Sequence, residues 1–187
     1  MSDKILDQIF ENKIIAIIRG VNSDRILDTV KALLDGGIKL LEVTFNQESE
    51  DTILDTLKSI ELIKRKYGNR VCLGVGTVLT VEQVNKAVNA GAEYMISPNT
   101  DVEVIAKTKE LGKISIPGAT SASEMVIAYN AGADIIKLFP AGILGVDYIK
   151  SLLSPLNYIP ITAVGGINLD NVDQFIKAGA KGVGIGG

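Results

Sequence analysis

The sequence predicts an α/β protein of the (β/α)8 TIM-barrel class, as a single domain over residues 1–187. Three observations predict it. Eight short apolar runs rich in Ile and Val recur along the chain, as parallel strands buried on both faces do. Amphipathic stretches with helix start and stop signals separate them. Four helix-to-strand junctions repeat one glycine-led spacing. Strand and helix alternating eight times is the pattern of a closed parallel barrel. A doubly wound open sheet is the rival arrangement.

A short N-terminal helix precedes the first run, at 14–18. The other runs are 40–43, 71–75, 94–96, 114–116, 135–139, 161–164 and 183–185. Ser23 and Asn168 stand where helices should start. Thr80-Val81-Glu82-Gln83 and Ser121-Ala122-Ser123-Glu124 have capping-box form. Gly36-Gly37, Gly91, Gly112, Gly132 and Gly179 follow the helical stretches, as C-terminal stops do. No linker or low-complexity tract divides the chain.

Composition closes off several chemistries. The chain is 47% hydrophobic, too apolar for a disordered protein. It has no histidine, which excludes Ser-His-Asp and Cys-His catalysis and His-ligated metals. Its one cysteine, Cys72, allows neither an intrachain disulfide nor a thiolate-rich metal site, and reads as a buried small hydrophobe. A net charge of −3 argues against nucleic acid as a partner. No run approaches ~18 apolar residues, so no membrane span is expected. The start of the chain has no signal-peptide pattern, and a cytoplasmic location is the expectation.

The junction repeat places Gly37 before Glu42, Gly91 before Ile96, Gly132 before Lys137, and Gly179 before Gly184, at one spacing. These junctions precede the second, fourth, sixth and eighth runs. Each interior layer of such a barrel takes its side chains from alternate strands. The four residues are therefore equivalent, and if one points inward all do. Glu42 and Lys137 then face each other, and Gly184 leaves room for a pocket.

Lys137 is the only polar group in its run. Desolvation lowers a lysine pKa, and a neutral amine attacks carbonyls to form a Schiff base. A nearby carboxylate, Glu42, can then move protons. The alternatives are a lysine that snorkels to the surface or a structural ion pair with Glu42. Arg19 ends the first run and suits bidentate carboxylate binding, or is simply an exposed strand end. Thr77 presents a hydroxyl at the same rim. Ser97-Pro98 and Pro117-Gly118 end the fourth and fifth runs as pocket wall or as strand stops. Gly165-Gly166 and Gly186-Gly187 end the last two runs, where barrels of this class bind phosphate; turn glycines are the alternative. Walker A and dinucleotide fingerprints are absent.

These motifs resemble the 2-keto-3-deoxy-6-phosphogluconate aldolase family over nearly the whole chain. They are Glu42-Val43-Thr44, Gly76-Thr77-Val78-Leu79, Ser97-Pro98, Pro117-Gly118-Ala119-Thr120, Lys137-Leu138-Phe139-Pro140-Ala141 and Gly165-Gly166-Ile167. The resemblance implies a class I aldolase barrel, a homotrimer that needs no metal or other cofactor, with a phosphorylated keto sugar acid and pyruvate as its small-molecule partners. It implies Lys137 as the Schiff-base lysine and Glu42 as general acid/base through water. It further implies that Thr77 and Pro98 line the pyruvate site, that Phe139 packs near the lysine, and that Gly165, Gly166, Gly186 and Gly187 cradle the phosphate.

Three departures stand out. Asn46 replaces an arginine typical of the gluconate-type enzymes, and Ala163-Val164 replaces Pro-Thr. The galactonate-type branch resembles this chain at both points and in Arg19. Arg19 is therefore the expected carboxylate anchor, with Asn46 and Val164 also contacting substrate. The gluconate or galactonate epimer, and activity on 4-hydroxy-2-oxoglutarate, stay open. The family continues past the eighth strand with a polar residue and a closing helix, so a truncated chain lacking the last helix is expected here. Two other readings remain open at this stage. One is an isomerase or synthase barrel of the ribulose-phosphate-binding type; the other is a catalytically impaired phosphometabolite-binding subunit.

Overall fold

A computed structural model describes residues 2–186, with side chains from Lys4 onward. The strands are β1 (Ile14–Ile18), β2 (Leu40–Thr44), β3 (Cys72–Gly76), β4 (Tyr94–Ile96), β5 (Ile114–Ile116), β6 (Gly118–Ala119), β7 (Ile136–Leu138), β8 (Ile161–Val164) and β9 (Gly182–Ile185). The helices are α1 (Ser2–Asn12), α2 (Ile26–Asp35), α3 (Glu50–Tyr67), α4 (Val81–Ala90), α5 (Val102–Glu110), α6 (Ala122–Asn130), α7 (Ala141–Leu144), α8 (Val146–Leu153) and α9 (Val172–Lys177).

All nine strands belong to one parallel sheet in the order β5-β4-β3-β2-β1-β9-β8-β7-β6. The two ends of that order, β5 and β6, are separated only by Pro117. Proline has no N–H to donate to the ladder, so it splits the expected fifth strand into two halves. The first half pairs with β4 and the second with β7. The Lys137 N–H also donates to the Pro117 carbonyl at 2.9 Å across this seam. The sheet thus closes as an eight-stranded barrel, and the open-sheet alternative is excluded.

Three apolar clusters organise the packing. One lies between the outer face of the first strands and α2–α4, another between the later strands and α6–α9. The third fills the barrel: Ile15, Leu40, Cys72, Tyr94, Ile96, Ile114, Ile116 and Ile135 meet Ile9 of α1, with Ile5, Leu6 and Phe10 packed alongside. The N-terminal helix therefore plugs the end where the strands begin. Only the other end is left for chemistry, as this barrel class requires.

Local signals acted with mixed accuracy. Ser121 and Glu124 form a full capping box. Gly91, Gly132 and Gly179 end their helices at φ of +108°, +102° and +113°, a region that a Cβ disfavours. Ser23 does not cap α2: the helix starts after Arg25 without a side-chain cap, and the Ser23 N–H donates to Asp55 at 3.0 Å. Asn168 does not cap α9 either; Asn171 precedes that helix, and its side chain accepts the Asn168 N–H at 2.9 Å. In both cases the chain uses extra residues to turn off the sheet before the helix begins. No helix follows β9 among the described residues, and none there is long and apolar enough to cross a membrane.

Closure sets tight backbone approaches. A Cβ on Gly118 would lie 2.2 Å from the Pro98 carbonyl oxygen, which belongs to the backbone of the neighbouring strand end. Gly118→Ala should therefore destabilise the protein by about 1–3 kcal/mol, read as a lower urea midpoint. Gly36→Ala, where the added carbon meets only ordinary contact at 3.4 Å, should change stability by less than about 0.5 kcal/mol.

Candidate active site

The mouth of the barrel is built from the ends of the strands. Glu42 on β2 is 2% exposed and Lys137 on β7 is 6% exposed. Ile96 is buried in the barrel core, and Gly184 also faces inward, since a Cβ there would lie 2.9 Å from Val164 Cγ2 and 3.1 Å from Ile17 Cδ1. The equivalence read from the junction repeat is therefore present in the fold. The room left by Gly184 is not an open pocket, however: Val164 and Ile17 fill it.

The absent side chains that accommodate the carboxylate are on β3. A Cβ on Gly76 would lie 1.8 Å from Glu42 Oε1, and one on Gly74 would lie 1.9 Å from Tyr94 Cε2. The Tyr94 hydroxyl donates to the Leu41 carbonyl at 2.6 Å, which pins the ring beneath this layer.

Burial dominates the electrostatics. Desolvation pushes Glu42 above the usual carboxylate range, against the pull of Lys137 and Arg19. Desolvation also pulls Lys137 below the ordinary lysine value, against the attraction of Glu42 and with help from Arg19. The lysine and glutamate interact through space without a hydrogen bond, so neither is locked in a structural ion pair. Nor does Lys137 snorkel to the surface. Its Nζ lies 5.1 Å from the centroid of the Phe139 ring, close to the lysine as the motif implies. Burial pushes the Cys72 thiol up to about 12, which leaves it unreactive.

Arg19, Asn46 and Thr77 come together in the wall of one cavity of about 300 Å³ at the rim. Arg19 is exposed and reaches both buried charges electrostatically. The Asn46 carboxamide is engaged locally: it donates to the Glu48 side chain at 3.1 Å and accepts the Glu48 N–H at 3.0 Å. Lys137 is not part of this wall. Pro98 is exposed at the end of β4, and Val164 is buried at the end of β8.

The first glycine pair makes a firm turn. A Cβ on Gly165 would lie 3.0 Å from the Phe139 ring, so the bare backbone lets that ring seat beside the lysine. The Gly142 N–H donates to the Gly165 carbonyl at 2.7 Å, and the Asn171 side chain donates to the Gly166 carbonyl at 2.9 Å. The scaffold thus holds both carbonyls of the pair. Gly186 is exposed beyond β9, whereas Gly187 lies outside the described residues.

Several residues at the site were given no role by the sequence. Thr162 is level with Lys137 in the ladder, 1% exposed, and its hydroxyl has no partner among the described residues. The signal was a polar residue inside a buried run. Thr120 donates its hydroxyl to the Phe139 carbonyl at 2.9 Å. Gln47 donates to the Thr77 carbonyl at 2.8 Å, a contact with no sequence signal.

A family model described as KDPG and KHG aldolase matches residues 5–187. The chain belongs to this aldolase family. It is similar to the 2-dehydro-3-deoxy-6-phosphogalactonate aldolase of Escherichia coli strain K12, with 36% identity over 92% of this chain and 82% of that protein. It is also similar to the 2-dehydro-3-deoxy-phosphogluconate aldolase of Treponema pallidum strain Nichols, with 36% identity over 87% of this chain and 76% of that one. Among solved structures, native KDPGal superposes with a TM-score of 0.85 at 36% identity, covering 92% of this chain and 82% of the other. The KDPG aldolase of Legionella pneumophila, with pyruvate captured at low pH as a covalent carbinolamine, gives 0.84 at 29% identity over 95% and 84%. This aldolase is a carbon–carbon lyase.

The depressed lysine has a consequence for folding. The unfolded aldolase protonates Lys137 at a higher pH than the folded one, so between the folded value and the ordinary 10.5 the unfolded chain binds more protons. Stability contributed by this group therefore rises with pH across that window. The urea midpoint of the wild type should climb relative to Lys137→Met from neutrality toward 10.5. Parallel midpoint curves over that range would contradict the depressed value.

Proposed function

We propose that this aldolase reversibly cleaves a phosphorylated 2-keto-3-deoxy sugar acid to pyruvate and glyceraldehyde 3-phosphate through an imine on Lys137. The observation that carries the proposal is a lysine and a glutamate buried on opposite walls of one barrel mouth without a direct ion pair.

The neutral Lys137 Nζ adds to the C2 keto carbon to give a carbinolamine, and loss of water leaves a protonated imine. That cation is the electron sink. Removal of the C4 hydroxyl proton lets the C3–C4 bond break: its electrons pass into the enamine, and the aldehyde leaves. Glu42 accepts the proton through water and returns it to C3, and hydrolysis of the imine releases pyruvate. A carboxyl raised by burial suits both directions of that transfer.

Arg19 anchors the pyruvate carboxylate in this reading, beside Asn46 and Thr77. Their shared cavity supports that grouping. Pro98 and Phe139 flank the pyruvate unit, Val164 faces the C4 region, and Gly165, Gly166, Gly186 and Gly187 hold the distal phosphate. Both the galactonate and the gluconate epimers fall within the proposed substrate class, supported by relatives of each name at equal identity. Family resemblance supports a homotrimer, and a single buried cysteine suits a reducing cytoplasm.

Borohydride trapping with pyruvate, followed by peptide mass mapping, should place one adduct on Lys137 and none in Lys137→Ala. An adduct on a different lysine would overturn the assignment. Glu42→Gln keeps nearly the same shape, so it should still trap pyruvate while turnover falls by about 10²–10⁴. Turnover at the wild-type rate would remove Glu42 from the proton transfers.

A further inference from the structure

Thr77 has a left-handed backbone, with φ of +58°. A β-branched residue in that region is strained and persists only where its surroundings hold it. Lys13, the other described non-glycine residue with positive φ, connects α1 to β1 at the plugged end of the barrel. Thr77 stands instead at the mouth, in the wall shared with Arg19 and Asn46.

Two glutamines hold this turn. Gln47 Nε2 donates to the Thr77 carbonyl at 2.8 Å. Gln83 Nε2 donates to Gln47 Oε1 at 2.8 Å, and Gln83 Oε1 accepts the Leu79 N–H at 2.8 Å. The ends of the relay dictate its polarity. A carbonyl at Thr77 demands a donor and an N–H at Leu79 demands an acceptor, so each amide can point only one way. Gln83 is 7% exposed and sits in the first turn of α4, where its own N–H donates to Thr80 Oγ1 at 3.2 Å. The expected capping box of α4 is therefore only half made: the carboxamide serves Leu79 and Gln47 instead of the Thr80 N–H. Ser97 steadies the far side, donating to the Val78 carbonyl at 2.7 Å. The relay links the loop after β2, where Gln47 follows Asn46, to the loop after β3.

We infer that Gln83, acting through Gln47, is a positioning residue that holds the Thr77 turn and so sets the affinity for pyruvate. The inference rests on the proposed reading in which Thr77 lines the pyruvate site.

Gln83→Glu separates this role from helix capping. A carboxylate still accepts the Leu79 N–H, and an acid in the first turn of α4 favours the helix. It has no N–H for Gln47, however. Gln47 must then turn its own N–H toward the new carboxylate, which sets its oxygen against the Thr77 carbonyl. The thermal midpoint should stay within about 2 °C of wild type. The pyruvate concentration for half-maximal borohydride trapping should rise about three- to tenfold, the effect of one lost hydrogen bond. The limiting trapping rate on Lys137 should not change. Gln47→Leu should raise half-saturation in the same way, and the double variant should be no worse than either single one, because both break one relay.

An unchanged half-saturation in folded Gln83→Glu overturns the inference and leaves the Lys137 adduct, and with it the proposed function, intact. A fall in limiting rate at constant half-saturation also overturns it, since Gln83 would then act on the chemistry and not on pyruvate binding. A wild-type protein that traps no pyruvate overturns the proposed function itself, and this inference with it.

Discussion

Closing the sheet at Pro117 brings one cation and one anion into a space from which water is largely excluded, without letting them touch. That separation governs the chemistry of the site. A hydrogen-bonded pair would keep the lysine charged and the glutamate ionised. Here desolvation outweighs their attraction, so the lysine is drawn toward its neutral form and the glutamate toward its protonated one. In the proposed mechanism the first shift favours the neutral amine that adds to the keto group, and the second raises the proton affinity of a carboxylate that must both take up and return a proton.

The junction repeat shows the contrast within one molecule. Beyond the same glycines, Glu93 and Asp134 occupy equivalent positions near the strand starts. Glu93 pairs with Lys64 at 3.1 Å and accepts the Leu73 N–H at 3.0 Å; Asp134 pairs with Lys109 at 2.7 Å and accepts the Ser115 N–H at 2.8 Å. These pairs are partly solvated and contribute modestly, tying a helix to a strand edge. Three residues further along, the same repeat delivers a buried side chain to the inner layer. One spacing thus sets structural ion pairs at two strand starts and, at its inward positions, the buried Glu42 and Lys137 at the mouth.

Space in so narrow a barrel is assigned by glycine. Gly74 admits the Tyr94 ring, Gly76 the Glu42 carboxyl, Gly118 the Pro98 backbone and Gly165 the Phe139 ring. Gly184 admits Val164 and Ile17. The missing Cβ atoms make way for neighbouring groups, and they set which side chain reaches the mouth and in what pose. The strained Thr77 turn is held in the same spirit, by partners from two other segments.

Periodicity, composition and the glycine spacing were enough to read an eight-stranded barrel, the inward pairing of Glu42 with Lys137, and the absence of histidine or thiolate chemistry. These are local or repetitive features, and layer geometry makes equivalent positions point the same way. The sequence could not show that Ser23 and Asn168 fall short of their helices, because a helix start depends on how the chain leaves the sheet. Nor could it show that Gly184's space is filled, or that Gln83 reaches past its own cap to Gln47 and Thr77. Several of those outcomes bring together segments far apart in the chain, as Gln47 meets Thr77, Gln83 meets Gln47 and Ile17 meets Gly184. They depend on which strands become neighbours and how far each side chain extends, and only tertiary packing decides that.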